Sequence, residues 1–248
     1  MPNRRAPRQT RRGARSGLCR RLLRGVACAL ALCLLATVVP IALLRQLPPP
    51  TTAFMWRSLT SDPATGRACE RVDYRWVPWR ELAPKLPWAV LVAEDQRFMQ
   101  HRGFDVKAIA DALDDQRSGR RLRGASTITQ QVAKNLFLWP GRSAIRKGLE
   151  AWLTVWIELL WPKRRIIEMH LNIAQFGPCV FGGEAASQRY FGRPAARLTA
   201  RQAALLAAVL PSPGKMRASD PGPYTVERAQ RILSQMHLPD GPAYLRGL

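Results

Sequence analysis

Glu94-Asp95-Gln96-Arg97-Phe98-Met99-Gln100-His101, followed some thirty residues on by Gly124-Ala125-Ser126-Thr127-Ile128-Thr129-Gln130-Gln131-Val132-Ala133-Lys134-Asn135-Leu136, decides how this chain reads. On a helix Glu94, Phe98 and His101 fall at i, i+4 and i+7 and share a face. A carboxylate backed by an aromatic ring suits a general base, because partial desolvation raises its pKa toward neutrality. The same spacing also fits an ion pair with Arg97 or a cap on the helix itself. In the second stretch the hydroxyls of Ser126, Thr127 and Thr129 suit a turn entering a helix. Ile128, Val132 and Leu136 then point to the core, with Gln130 and Lys134 on one polar face and Gln131 and Asn135 on another. Such a face is either plain solvated surface or, since amides replace lysine and glutamate, a place where hydrogen-bond geometry matters.

The 248 residues allow one domain of ordinary size plus a tail or anchor. The formal net charge is +22, which points to nucleic acid, anionic lipid or phosphorylated substrate as partner. Position narrows that choice: residues 1–45 hold ten arginines and no acid, so the most basic stretch lies outside the folded part. It leads into Val26–Leu44, nineteen uncharged residues, close to the roughly 20 that cross a bilayer as a helix. We therefore divide the chain into a basic cytoplasmic tail (1–21), a transmembrane anchor (22–44) and an external domain (45–248). Nine of the ten arginines precede the span, which by the positive-inside rule keeps the N-terminus in the cytoplasm. A cleaved signal peptide is the rival reading, with Ala36-Thr37-Val38 near a small-residue cleavage pattern, but the apolar run exceeds a usual signal core.

Helical signals dominate after the anchor. Asp105 caps a helix carrying Val106, Ile109, Ala110 and Leu113. Ser143 opens another with an apolar stripe of Ile145, Leu149, Trp152 and Trp156, ending before Pro162. A third runs from about Lys163 to Ala174. Thr199 and Gln202 form a capping box for a fourth, and Thr225 opens the last. Strand alternation is scarce, so the domain is expected to be mainly α. Leu86-Pro87-Trp88 and Trp76-Val77-Pro78-Trp79 suit either a core or a membrane interface, where tryptophan is favoured.

Cys69 and Cys179 fall on the oxidising side, where a bridge is permitted and two free thiols are equally compatible with the spacing. His101, His170 and His237 lie too far apart for a zinc pattern, and no metal site is assigned. Arg146 and Lys147 are spaced to pair with Glu150 as ordinary surface salt bridges. Lys134 and Arg142 equally suit phosphate clamps.

Four ordered blocks then carry a resemblance: Glu94-Asp95-x-x-Phe98-x-x-His101-x-Gly103-x-Asp105; Gly124-x-Ser126-Thr127-Ile128-Thr129-Gln130-Gln131-x-x-Lys134-Asn135; Arg146-Lys147-x-x-Glu150; and Lys163-x-x-Ile166-Ile167-Glu168-x-x-Leu171-Asn172-x-x-x-Phe176-Gly177. With a fifth at Ala185-Ala186-x-x-x-Tyr190-Phe191-Gly192, they closely resemble the motifs of the peptidoglycan glycosyltransferases over about residues 85–235. The chain looks like the monofunctional, biosynthetic branch, with no room for a penicillin-binding transpeptidase domain. The resemblance implies a lysozyme-like helical fold on a single anchor in the bacterial inner membrane, with the catalytic domain periplasmic. It implies an inverting polymerase that builds glycan strands from lipid II and releases undecaprenyl pyrophosphate. Glu94 would deprotonate the acceptor 4-hydroxyl. Lys134 and Arg142 would neutralise the leaving pyrophosphate, with Glu150 assisting directly or through a divalent cation, Mg or Mn. Ser126, Gln130, Gln131 and Asn135 would orient sugar and phosphate. Partners would be lipid II, the growing strand, the membrane and other cell-wall synthesis or division proteins, and no nucleic acid.

Three places depart from the family pattern. His170 stands where the family usually has tyrosine, and Gly183 where alanine or isoleucine is commoner; neither is expected to touch the chemistry. Pro178-Cys179 is also unusual. A helical glycan-cleaving enzyme is the rival activity, since it needs the glutamate without the phosphate clamps. A basic membrane-tethered binding module is the rival from another class.

Overall fold

The structure is a computed structural model that describes residues 11–118, 126–141, 143–237, 244–245 and 247–248. Two compact units divide at Leu43 and Leu44. Among the described residues the first is formed by helix α1 (Arg11–Leu44), of which Leu23–Leu44 is long and apolar enough to cross a membrane. Sequence patterning located this span to within a few residues.

The second unit is mainly helical, as expected: α2 (Ala53–Ser58), α3 (Lys85–Glu94), α4 (Val106–Arg117), α5 (Ile128–Phe137), α6 (Ala144–Leu160), α7 (Lys163–Ile173), α8 (Gly183–Phe191), α9 (Ala200–Val209) and α10 (Pro223–Met236). Helix α3 packs on α9 and α10, while α5 packs on α6 and α7. Contacts of α7 with α3 join the two groups. Three very short strands, β1 (Asp73–Tyr74), β2 (Gln175–Gly177) and β3 (Val180–Phe181), lie in the order β1-β3-β2. The expected caps are present at Asp105, Ser143 and Thr199, each accepting a backbone N–H of its helix's first turn. The last helix begins at Pro223, two residues before Thr225, because proline's fixed φ and missing N–H suit the first helical position.

One expectation needs correction. Helix α3 stops at Glu94, so Glu94, Phe98 and His101 do not share a helical face. Asp95 leaves the helix with φ −158°, and its carboxylate instead accepts Ile128 N–H of α5 at 3.0 Å and meets His101 Nε2 at 2.8 Å. Two buried hydrogen bonds to distant partners outweigh one more helical turn. The apolar stripe of α6, whose direction the spacing left open, faces outward: Ile145 is 76 % exposed, Leu149 40 % and Trp152 41 %. Of the two readings of Leu86-Pro87-Trp88, the structure supports core packing: Leu86 is buried and Trp88 donates its indole N–H to Met236 O at 3.1 Å.

Cys69 and Cys179 form a disulfide. Cys179 sits in the β2–β3 turn with φ +59°, a left-handed conformation in which its carbonyl accepts Asp73 N–H at 2.8 Å. This gives the unusual Pro178-Cys179 pair a structural reason: the turn is tethered across 110 residues of chain to the loop behind α2.

Candidate active site

Glu94 ends α3, where the helix presents its negative pole and unpaired carbonyls. Its side chain is 13 % exposed. Gln131 Nε2 of α5 donates to Oε2 at 3.0 Å, and Arg228 of α10 donates to Oε1 at 3.2 Å and to Ala93 O at 3.4 Å. Loss of water on burial raises the Glu94 pKa above its ordinary 4.5, against the opposing pull of the Gln131 hydrogen bond and of the Arg228 and Lys134 charges. A carboxylate so placed accepts a proton more readily than a solvated one does. Its neighbour Asp95 is committed to joining the loop to the start of α5.

The second motif divides into scaffold and surface. Thr127 and Gln130 form a capping box: Thr127 Oγ1 accepts Gln130 N–H at 3.3 Å, and Gln130 Oε1 accepts Thr127 N–H at 3.0 Å. Gln130 is buried in that role, so the geometry favours it as a helix cap over the expected substrate contact. Ser126 is exposed immediately before the cap. Gln131, Lys134 and Asn135 line one cavity of about 290 Å³ with Gln175 and the Leu210–Gly214 turn, residues 210–214. Glu94 lines another, of about 320 Å³, with Asp95, Asp105, Asp111 and Thr127. The Gln131 amide therefore lies between a carboxylate-walled cleft and a cleft holding an ammonium.

Lys134 Nζ lies 5.7 Å from the centre of the Phe54 ring. Burial lowers its pKa, opposed chiefly by the charge of Glu150. Glu150 itself is almost fully buried, and its two oxygens meet Arg146 Nη1 at 2.9 Å and Lys147 Nζ. These are the expected spacings, but the carboxylate is inside the protein instead of on a surface. Both Glu150 oxygens already face cations, so no oxygen is free to bind a divalent ion there, and these residues do not fit the metal the resemblance implied. The Asp95, His101 and Asp105 cluster is engaged within the protein: Asp95 meets Ile128 N–H and His101, and Asp105 Oδ1 meets Ala108 N–H and Arg97. Arg142 and Gly124 lie outside the described residues.

The fourth motif is largely scaffold. Asn172 brackets Val77, accepting its N–H at 2.7 Å and donating to its C=O at 2.9 Å, and Glu168 accepts Trp79 N–H at 2.7 Å. Gly182 follows with φ +87°, and any Cβ there would lie 2.5 Å from Asn172 O. Its tight turn needs glycine.

Sequence reasoning missed two residues. Arg228 reaches Glu94 from 134 residues away, and no local pattern signals it. His170 was expected to matter for packing alone; its Nε2 lies 3.0 Å from Gln131 Oε1, one residue removed from Glu94.

The family model described as "Transglycosylase" matches residues 63–237. A protein named "Biosynthetic peptidoglycan transglycosylase" from Aeromonas hydrophila is 48 % identical over 222 residues, which cover 90 % of this chain and 93 % of that relative. Proteins of the same name from Caulobacter vibrioides and Stutzerimonas stutzeri are 49 % and 51 % identical, over 86 % and 85 % of this chain and 90 % and 86 % of theirs. A family match across most of the second unit, together with relatives about half identical along nearly the whole chain, establishes that this chain belongs to the transglycosylase family.

Proposed function

We propose that this chain is a peptidoglycan glycosyltransferase that elongates glycan strands from lipid II, with Glu94 as general base. The observation that carries this reading is the pairing of clefts across α5. A desolvated carboxylate of raised pKa lies on one side, and a half-buried ammonium lies on the other. Forming a glycosidic bond to a lipid-linked sugar needs a base at the attacking hydroxyl and positive charge at the departing pyrophosphate. Glu94 takes the acceptor 4-hydroxyl proton as that oxygen attacks the anomeric carbon of the lipid-linked strand. The anomeric bond to pyrophosphate breaks with inversion, and the charge left on the phosphate is met by Lys134 and Arg142. On this reading Asn135 and Ser126 hydrogen-bond the sugars, Gln131 acts through its bond to Glu94, and Glu150 keeps Arg146 in place beside Lys134.

The anchor serves by confinement. Lipid II stays in the membrane, so a tethered domain meets it at high effective concentration. The arginine asymmetry supports a cytoplasmic N-terminus with residues 45–248 on the far side of the inner membrane. The outward apolar face of α6 suits work at a lipid surface. A reporter active only outside the cytoplasm, fused after Leu248, is expected to work; a cytoplasm-only signal would reverse the orientation.

The direct experiment incubates purified full-length protein with lipid II in detergent. Polymeric glycan with release of polyprenyl pyrophosphate is expected. No polymer, but soluble fragments released from finished wall, would assign the chain to glycan cleavage.

A further inference from the structure

His170 lies near the end of α7, has no solvent exposure, and faces α5. Its Nε2 is 3.0 Å from Gln131 Oε1, and Gln131 Nε2 is 3.0 Å from Glu94 Oε2. The order of donors follows from the far end of this chain. An ionised carboxylate only accepts, so the amide NH₂ of Gln131 must face Glu94. Its carbonyl oxygen must then face His170, which has to carry its proton on Nε2. Nδ1 is buried with no hydrogen-bond partner among the described residues, which is met less rarely for an acceptor lone pair than for an N–H. Reversing the Gln131 amide would set two oxygens against each other at Glu94 and require His170 to bury an unpaired Nδ1–H.

We propose that His170 is a positioning residue for Glu94 that acts through Gln131, locking the amide in the one orientation that donates to the carboxylate. Second-layer donors act in this way on other reacting groups, fixing orientation without touching substrate. Burial, with the nearby Lys134 charge, pushes the imidazole down to about 3, so it stays neutral and its donor stays on Nε2. The proposal rests on the reading of Glu94 as the base.

The test uses full-length protein and lipid II in detergent, with thermal unfolding followed for every variant. His170→Leu removes the donor at similar volume, and His170→Gln restores an N–H close to the position of Nε2. His170→Leu is expected to lower kcat about ten- to a hundredfold with KM within about twofold, His170→Gln to recover most of that loss. In a Gln131→Met background His170→Leu should cost nothing further, because the chain is already broken. Near-normal kcat in a folded His170→Leu protein, or a full additional loss in the Gln131→Met background, would overturn the proposal. Should His170→Leu fail to fold, His170→Gln and His170→Asn decide: the longer amide reaches Gln131 and should keep near-normal kcat, while the shorter one falls short of it and should lower kcat at retained KM, and equal kcat in the two refutes the chain. Glu94→Gln separates the two claims. Normal turnover there removes Glu94 as base, whereas loss there with normal His170→Leu removes only the role of His170.

Discussion

Glu94 and Glu150 are the same residue, both on helices and both nearly out of water, at 13 % and 4 % side-chain exposure. Their surroundings differ. Glu150 meets two cations, one on each oxygen. Glu94 has an amide on one oxygen and a single arginine at 3.2 Å on the other, at the unfavourable end of a helix. Burial with full compensation makes a fixed anion that organises the cations around it. Burial with partial compensation leaves a carboxylate that gains from taking a proton, which a base requires. The resemblance implied that both take part in catalysis; on the proposed reading Glu94 reacts and Glu150 supports.

The largest expected effect breaks the reacting side. Glu94→Gln keeps shape but not basicity, and should reduce turnover at least about 10²-fold, some 2.7 kcal/mol of barrier, in a folded protein. Lys134→Ala removes the ammonium of the second cleft and should cost about 10²-fold on lipid II while sparing analogues that lack phosphate. Equal losses on both kinds of substrate would mean that Lys134 does not handle phosphate. Glu150→Gln should act on stability first. Leaving Arg146 and Lys147 uncompensated beside Lys134 costs about 3–5 kcal/mol, read by denaturant unfolding. A folded, fully stable Glu150→Gln protein as inactive as Glu94→Gln would erase the distinction drawn here. The smallest effect on activity belongs to the bridge. Replacing Cys69 and Cys179 by serine should lower stability by about 2–5 kcal/mol through the long loop it frees, with turnover of the folded fraction within about twofold.

Much of this arrangement was legible because it is local. Asp105, Thr127, Ser143 and Thr199 cap helices by bonds that span three residues, and Ile128, Val132 and Leu136 mark the buried side of α5 by period alone. Other features depend on partners far along the chain. The end of α3 was misjudged because Asp95 is drawn to Ile128, 33 residues on, and Arg228 because its partner is farther still. The stripe on α6 shows a different limit. Period says which residues share a face, not whether that face turns inward. Gln130 and Gln131 are adjacent amides in one motif, yet one closes a capping box and the other touches Glu94. Only the fold distinguishes them.

The central claim is that burial has made Glu94 a base, and the pH dependence of kcat/KM for the full-length protein on lipid II tests it most directly. The raised pKa means Glu94 is protonated and inactive at low pH, and activity climbs as pH rises through that pKa. The account predicts an acidic limb with its midpoint clearly above 4.5, absent from the residual activity of Glu94→Gln. A limb at or below 4.5, or one that persists unchanged in Glu94→Gln, would contradict it.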